Sequence, residues 1–258
     1  MKKIMLDAGH YTNYNQSCVY KKYYEGNMVW QLCKYLKAEL EKYGFKVDTT
    51  RTSRDKDLAL YDRGYKAKGY DAFISLHSNA CDNESVDRVV VIKGYDQPDT
   101  LAKKIGKAIT DLMKVKQDYQ VYTRKYGSRE FYGVLRGAKS AGVNNRFIIE
   151  HGFHTNTKTA KWLCEDANIK KLAEVEAKVL ADHFGMKKTT QESAVTEELY
   201  KIITETLNVR RGAGTSYEIV GEVKKGDVYT IVEKKNNWGK LKSGLGWISL
   251  NEKYVEKK

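Results

Sequence analysis

A chain of 258 residues has room for one or two domains with real buried cores. Apolar residues make up 41% and charged residues 31%, and no run of about 18 apolar residues occurs, which excludes a disordered tail and a spanning membrane helix. The net charge of +13, from 46 basic and 33 acidic residues, points to a polyanionic partner, either nucleic acid or an anionic surface such as a cell envelope.

The chain opens Met1-Lys2-Lys3-Ile4-Met5-Leu6-Asp7, and its apolar stretch stops at Asp7, too early for a signal peptide. The expectation is a protein held in the cytoplasm until release. Short apolar runs at Ile4–Leu6, Phe45–Val47, Ala72–Leu76, Val89–Ile92 and Phe147–Ile149 predict buried strands. Between them, Met28, Val29, Leu32, Cys33, Leu36 and Leu40 recur at helical spacing, as do Leu101, Ile105, Ala108, Ile109 and Leu112. This alternation predicts an α/β fold: a mostly parallel twisted sheet with helices on both faces. A helical pattern from Trp162 to Phe184 ends at Gly185, and the polar stretch that follows reads as a linker over 187–196.

Residues 197–258 change texture to short β runs spaced by Gly212, Gly214, Gly226 and Gly244, which predicts a small all-β barrel with Trp238 and Trp247 in its core. Residues 1–186 carry 32 basic and 23 acidic residues, and 187–258 carry 14 and 10, so the excess is spread over both parts. Without a basic arm, an anionic wall is favoured over nucleic acid. The cysteines Cys18, Cys33, Cys81 and Cys164 form no CxxC pair and suggest no disulfide framework.

Chemistry is expected where strands end, because open α/β sheets gather functional groups at the carboxyl edge. After the first run comes Asp7-Ala8-Gly9-His10, after the third His77-Ser78-Asn79, and after the fifth Glu150-His151-Gly152-Phe153-His154. Four of the five histidines sit at such ends. A parallel sheet brings His10, His77 and Glu150 to one edge. Glu25, at the start of the first helix, faces the same edge and is favoured there by the helix dipole. Two imidazoles and a carboxylate make a catalytic zinc site, and a second carboxylate can serve as general base. Spacing alone does not separate His151 from His154 as competing ligands. His183, late in a long helix, is read as structural.

These stretches, with Thr50-Arg51-Thr52, Leu60 to Arg63, Ala72 to Ala80 and Ile149 to Asn156, resemble the zinc-dependent N-acetylmuramoyl-L-alanine amidases of bacterial autolysins and phage endolysins. The resemblance implies one Zn²⁺ held by His10, Glu25 and His77, with Glu150 as the catalytic carboxylate, and it demotes His151 and His154. Asp7 is expected to orient His10. The implied substrate is bacterial peptidoglycan, cut between N-acetylmuramic acid and L-alanine. One departure is visible: Tyr11 and a tyrosine-rich insert through Tyr24 stand where the family often has a further glycine. The segment Leu207-Asn208-Val209-Arg210-Arg211-Gly212, with Gly226-Asp227, Trp238-Gly239 and Gly246-Trp247-Ile248, resembles bacterial SH3-like domains, which implies wall binding by the C-terminal module. The readings set beside this one are a zinc peptidase cutting within the stem peptide and a host autolysin or spore-lytic amidase in place of an endolysin.

Overall fold

Alternating strand residues sort themselves into two separate cores. Ile4, Leu6 and Ala8 of β1 (Lys3–Ala8), Ala72, Ile74 and Leu76 of β3 (Ala72–Asn79), and Phe147 and Ile149 of β8 (Asn145–Phe153) join one apolar cluster. Met5, Phe73 and Ile148 join the other. That two-residue alternation is the pleat itself, and it requires cover on both faces of the sheet. On the first face lie α1 (Glu25–Lys42), α3 (Thr100–Met113), α5 (Thr157–Cys164) and α6 (Asp166–Phe184). Across the second, α4 (Gly133–Ser140) supplies Val134, Leu135 and Ala138 and packs against α2 (Leu60–Tyr65).

The computed structural model describes residues 1–188 and 198–258, in two compact units that divide between Thr189 and Thr190. From residue 189 onward, the linker expected over 187–196 lies outside the described residues. The sheet of the larger unit runs β2-β1-β3-β8-β4-β5, with β2 at Lys46–Thr49, β4 at Val90–Lys93 and β5 at Gln120–Tyr122. β2, β1, β3 and β8 are mutually parallel; β4 is antiparallel to β8 and parallel to β5. A small hairpin, β6 (Lys125–Tyr126) and β7 (Arg129–Glu130), precedes α4. All five expected strands and both expected helices form. The single helical pattern expected from Trp162 to Phe184 is broken at Glu165, which is extended (φ −83°, ψ 115°) and separates α5 from α6.

The smaller unit is all antiparallel, in the order β11-β10-β14-β13-β12-β9-β15. Its strands are β9 (Glu198–Ile202), β10 (Thr206–Arg210), β11 (Ile219–Lys224), β12 (Val228–Lys235), β13 (Trp238–Leu241), β14 (Trp247–Ser249) and β15 (Val255–Lys257). Its core is built from Tyr200, Ile202, Val209, Val223, Ile231, Leu241, Ile248, Leu250 and Val255. Trp238 and Trp247 depart from expectation. They are half-buried, outside that core, and alternate along their strands with the core residues Leu241 and Ile248. Gly239, not Trp238, faces inward, where a Cβ would lie 2.9 Å from Ile231 and Leu250 atoms. Among the described residues, no helix is long and apolar enough to cross a membrane.

Candidate functional site

Parity along the strands decides which polar side chains meet. Asp7, Ser75, His77 and Glu150 share the α2/α4 face with Met5, Phe73 and Ile148, by the two-residue rule. Register places Asp7 beside Ser75 and His77 beside Glu150. His151 falls on the opposite parity, with Ile149, and is turned toward α6.

His10 follows β1 in a left-handed backbone conformation (φ 57°), uncommon for residues other than glycine. The turn that presents it is held by Arg51, whose Nε donates to Ala8 O at 3.2 Å while Gly9 N donates to Leu76 O at 3.1 Å. Gly9 has to be glycine, because a Cβ would sit 2.3 Å from the His77 ring. Glu25 opens α1 and is buried; the preceding Tyr24 provides no side-chain cap. The cap comes instead from the tyrosine-rich insert. Glu25 N donates to Asn15 O and Gly26 N to Tyr14 O, at 3.1 and 3.2 Å, satisfying two of the free amides of the first turn. Gly26 permits this, since a Cβ there would lie 1.9 Å from Tyr11 O.

The carboxylate of Glu25 ties the site together. Oε1 meets His77 Nδ1 at 2.9 Å and accepts from Ser78 N at 3.0 Å; Oε2 meets His10 Nε2 at 3.2 Å and accepts from Asn15 Nδ2. Burial alone would raise its pKa, but the hydrogen bonds and charges of His10 and His77 outweigh that and hold it well below the usual carboxylate range. Burial likewise opposes protonation of His77, yet Glu25 and Glu150 together raise it. His10, Glu25 and His77 each offer one donor atom, all within 4.8 Å of one another, and among the described residues no other group of three His, Cys, Asp or Glu donors is gathered in this way. Two imidazole nitrogens and one carboxylate oxygen are a donor set that fits zinc. Beside His77, Glu150 keeps its Oε2 buried without a hydrogen-bond partner. Burial pushes its carboxyl up to about 7, His77 opposing and Glu25 assisting. An open cleft of ≈ 700 Å³ runs over His10 and His77, lined by Tyr11 and Tyr14 and by Asp57, Leu58, Ala59, Leu60 and Arg63.

The remaining sequence candidates have other partners. Asp7 does not orient His10: Thr50 Oγ1 (2.6 Å) and Arg63 Nε (2.9 Å) donate to Oδ1, and Arg63 Nη2 (2.8 Å) and Ser75 Oγ (2.7 Å) donate to Oδ2. Its parity turns it toward α2, where Arg63 waits. His151 is fully buried between His77 O (2.8 Å) and Glu176 Oε1 (3.0 Å), and His154 Nδ1 lies 2.9 Å from Ser78 Oγ. Sequence reasoning missed Asn15, Ser78 and Glu176. Only Glu176 left a signal, as a carboxylate on the apolar stripe of α6.

A family model for N-acetylmuramoyl-L-alanine amidase matches residues 4–182, and one for the bacterial SH3 domain matches residues 205–256. The probable cell wall amidase LytH of Staphylococcus epidermidis is 33% identical over 157 residues, which cover 60% of this chain and 49% of that protein. The chain thus spans about half the length of the curated relatives it matches first. Among solved structures, the catalytic domain of the amidase CwlV from Bacillus (Paenibacillus) polymyxa var. colistinus aligns with a TM-score of 0.63 at 18% identity, covering 72% of this chain and 100% of that one. The amidase AmiC2 of Nostoc punctiforme aligns at 0.60 and 22% identity, covering 71% and 97%. At those identities the likeness speaks for the fold, while the family match takes in nearly the whole larger unit. The chain belongs to the N-acetylmuramoyl-L-alanine amidase family.

Proposed function

We propose that this protein is a zinc-dependent amidase that cuts peptidoglycan between N-acetylmuramic acid and L-alanine, with His10, Glu25 and His77 as metal ligands and Glu150 as general base. The observation that carries this reading is the gathering of those three donors beside a carboxylate whose Oε2 is buried and unpartnered. A zinc ion at the triad supplies Lewis-acid polarisation of the amide carbonyl, lowers the pKa of water toward about 7, and by its charge favours ionised Glu150. Glu150 takes a proton from the attacking water at the carboxylate oxygen and passes it to the departing alanine nitrogen. Glu25, placed between His10 Nε2 and His77 Nδ1 and fixed by Ser78 N and Asn15 Nδ2, would supply the anionic donor of the three. The spread positive charge brings the protein to an anionic wall, and the C-terminal module binds there. The endolysin role suggested by the sequence belongs to the same proposal.

Digestion of purified cell walls tests it. New alanine amino termini are expected, without new reducing sugars, and a chelator should abolish them until zinc is restored. Reducing sugars would assign a glycosidase, and amino termini other than alanine a peptidase acting within the stem. A second expectation follows from Gly9. Gly9→Ala has to displace the His77 ring, so zinc titration of the variant should show affinity weakened by about 10-fold or more. Unchanged affinity would mean that His77 is not a ligand.

A further inference from the structure

The insert from Tyr11 to Asn15 is tied to the start of α1 and to Asp55 by hydrogen bonds. Asn13 N donates to Asn27 Oδ1 at 3.0 Å, and Asn27 Nδ2 returns a bond to Asn13 Oδ1 at 2.8 Å. Thr12 Oγ1 donates to Asp55, and Tyr14 N to Tyr11 O at 3.2 Å. The insert presents two aromatic rings to the cleft. Tyr11 and Tyr14 lie 4.9 Å apart between centroids, tilted by 56°, and each is 41% exposed. Tyr14 also stacks on the His10 ring at 4.5 Å and 16°. Both rings are thus left partly exposed over the cleft, on a loop tied down by these bonds.

Rings held this way, apolar on the face and polar at the tip, suit a ligand with a flat C–H face and peripheral hydroxyls. In the proposed substrate that description fits the pyranose ring of the N-acetylated amino sugar. We propose that Tyr11 and Tyr14 form a saccharide subsite that stacks on the amino sugar next to the scissile bond and sets its position relative to His10. This inference rests on the amidase reading above.

Calorimetric titration of the full chain carrying Glu150→Gln, which stops turnover, tests the subsite. The probes are a disaccharide-peptide muropeptide and the sugar-free lactoyl-peptide. Adding Tyr11→Ala should weaken muropeptide binding about 10-fold while leaving the lactoyl-peptide unchanged. Tyr11→Phe, which keeps the ring, should bind both like the parent. Tyr11 is chosen because its ring packs on Tyr14 and not on His10, and bound zinc and thermal midpoint check that the site is intact. If Tyr11→Ala fails to fold, Tyr11→Leu carries the same test. Equal losses on both probes, or no loss on either, overturn the saccharide subsite. A parent that binds neither probe overturns it too, and release of alanine termini from walls decides separately whether the reaction assignment survives.

Discussion

Glu150→Gln is expected to abolish wall hydrolysis while leaving the metal in place. The amide is close in size to the carboxylate but cannot accept the proton of water, and a positioned general base is worth about 10²- to 10⁴-fold in rate. Alanine termini released per hour should fall by that factor, with zinc still bound at the parent's stoichiometry. His77→Ala makes the contrast, since it removes a proposed ligand and the partner of Glu25 Oε1, and should lose metal and activity together. Full activity in Glu150→Gln would falsify its role as base. Loss of zinc in that variant would place Glu150 among the ligands instead.

Arg63→Met should destabilise the larger unit more than any surface change. Asp7 is fully buried, and Arg63 meets it through two parallel hydrogen bonds from a side chain only 7% exposed. Deleting one partner of such a pair leaves an uncompensated buried charge and costs about 3–5 kcal/mol. Burial alone would raise the Asp7 pKa, but the Arg63 charge, its hydrogen bond and those of Thr50 and Ser75 hold it below the ordinary 3.8. A carboxyl depressed in this way contributes stability above its unfolded pKa, and that contribution is lost as pH falls through the folded value. In Arg63→Met the balance reverses: burial favours the protonated acid, so lowering the pH toward about 4 relieves the variant. Urea midpoints should therefore differ widely at neutral pH, and the gap should narrow on acidification. Asp7→Asn added to Arg63→Met should recover part of the loss. A gap independent of pH would mean that Asp7 is not the charged partner.

Much of this was legible in the residues, for reasons of parity and burial. The five buried runs announce themselves because both faces of the sheet are covered, leaving them almost wholly apolar, with Ser75 of β3 and Lys46 of the edge strand β2 the exceptions. The direction of β4 was not legible, since periodicity carries no polarity and an antiparallel strand reads like a parallel one. The break at Glu165 was hidden because apolar spacing continues through it from Trp162 to Ile169. At the candidate site, His10, His77 and Glu150 were singled out by their places at strand ends and Glu25 by its place at a helix start, and the structure brings His10, Glu25 and His77 together. The choice left open between His151 and His154 was not settled by spacing: His151 is turned to Glu176 and His154 to Ser78, and neither joins the three gathered donors. The partners of Asp7 and His151 were not available. Arg63 and Glu176 reach them across 56 and 25 residues of sequence, through helix packing that no local spacing encodes.

The tyrosine insert has a consequence for how such enzymes diversify. Its backbone carbonyls cap the helix that begins with Glu25, and its rings line the cleft. Replacing this loop would alter both the lining of the cleft and how firmly a proposed metal ligand is seated. One short loop therefore carries both the cleft rings and the backbone cap of the helix that begins with Glu25. Loop exchange that aims at a new wall chemistry has to carry Gly26 and Asn27 along with the tyrosines, or the transplanted specificity arrives with a loosened helix start.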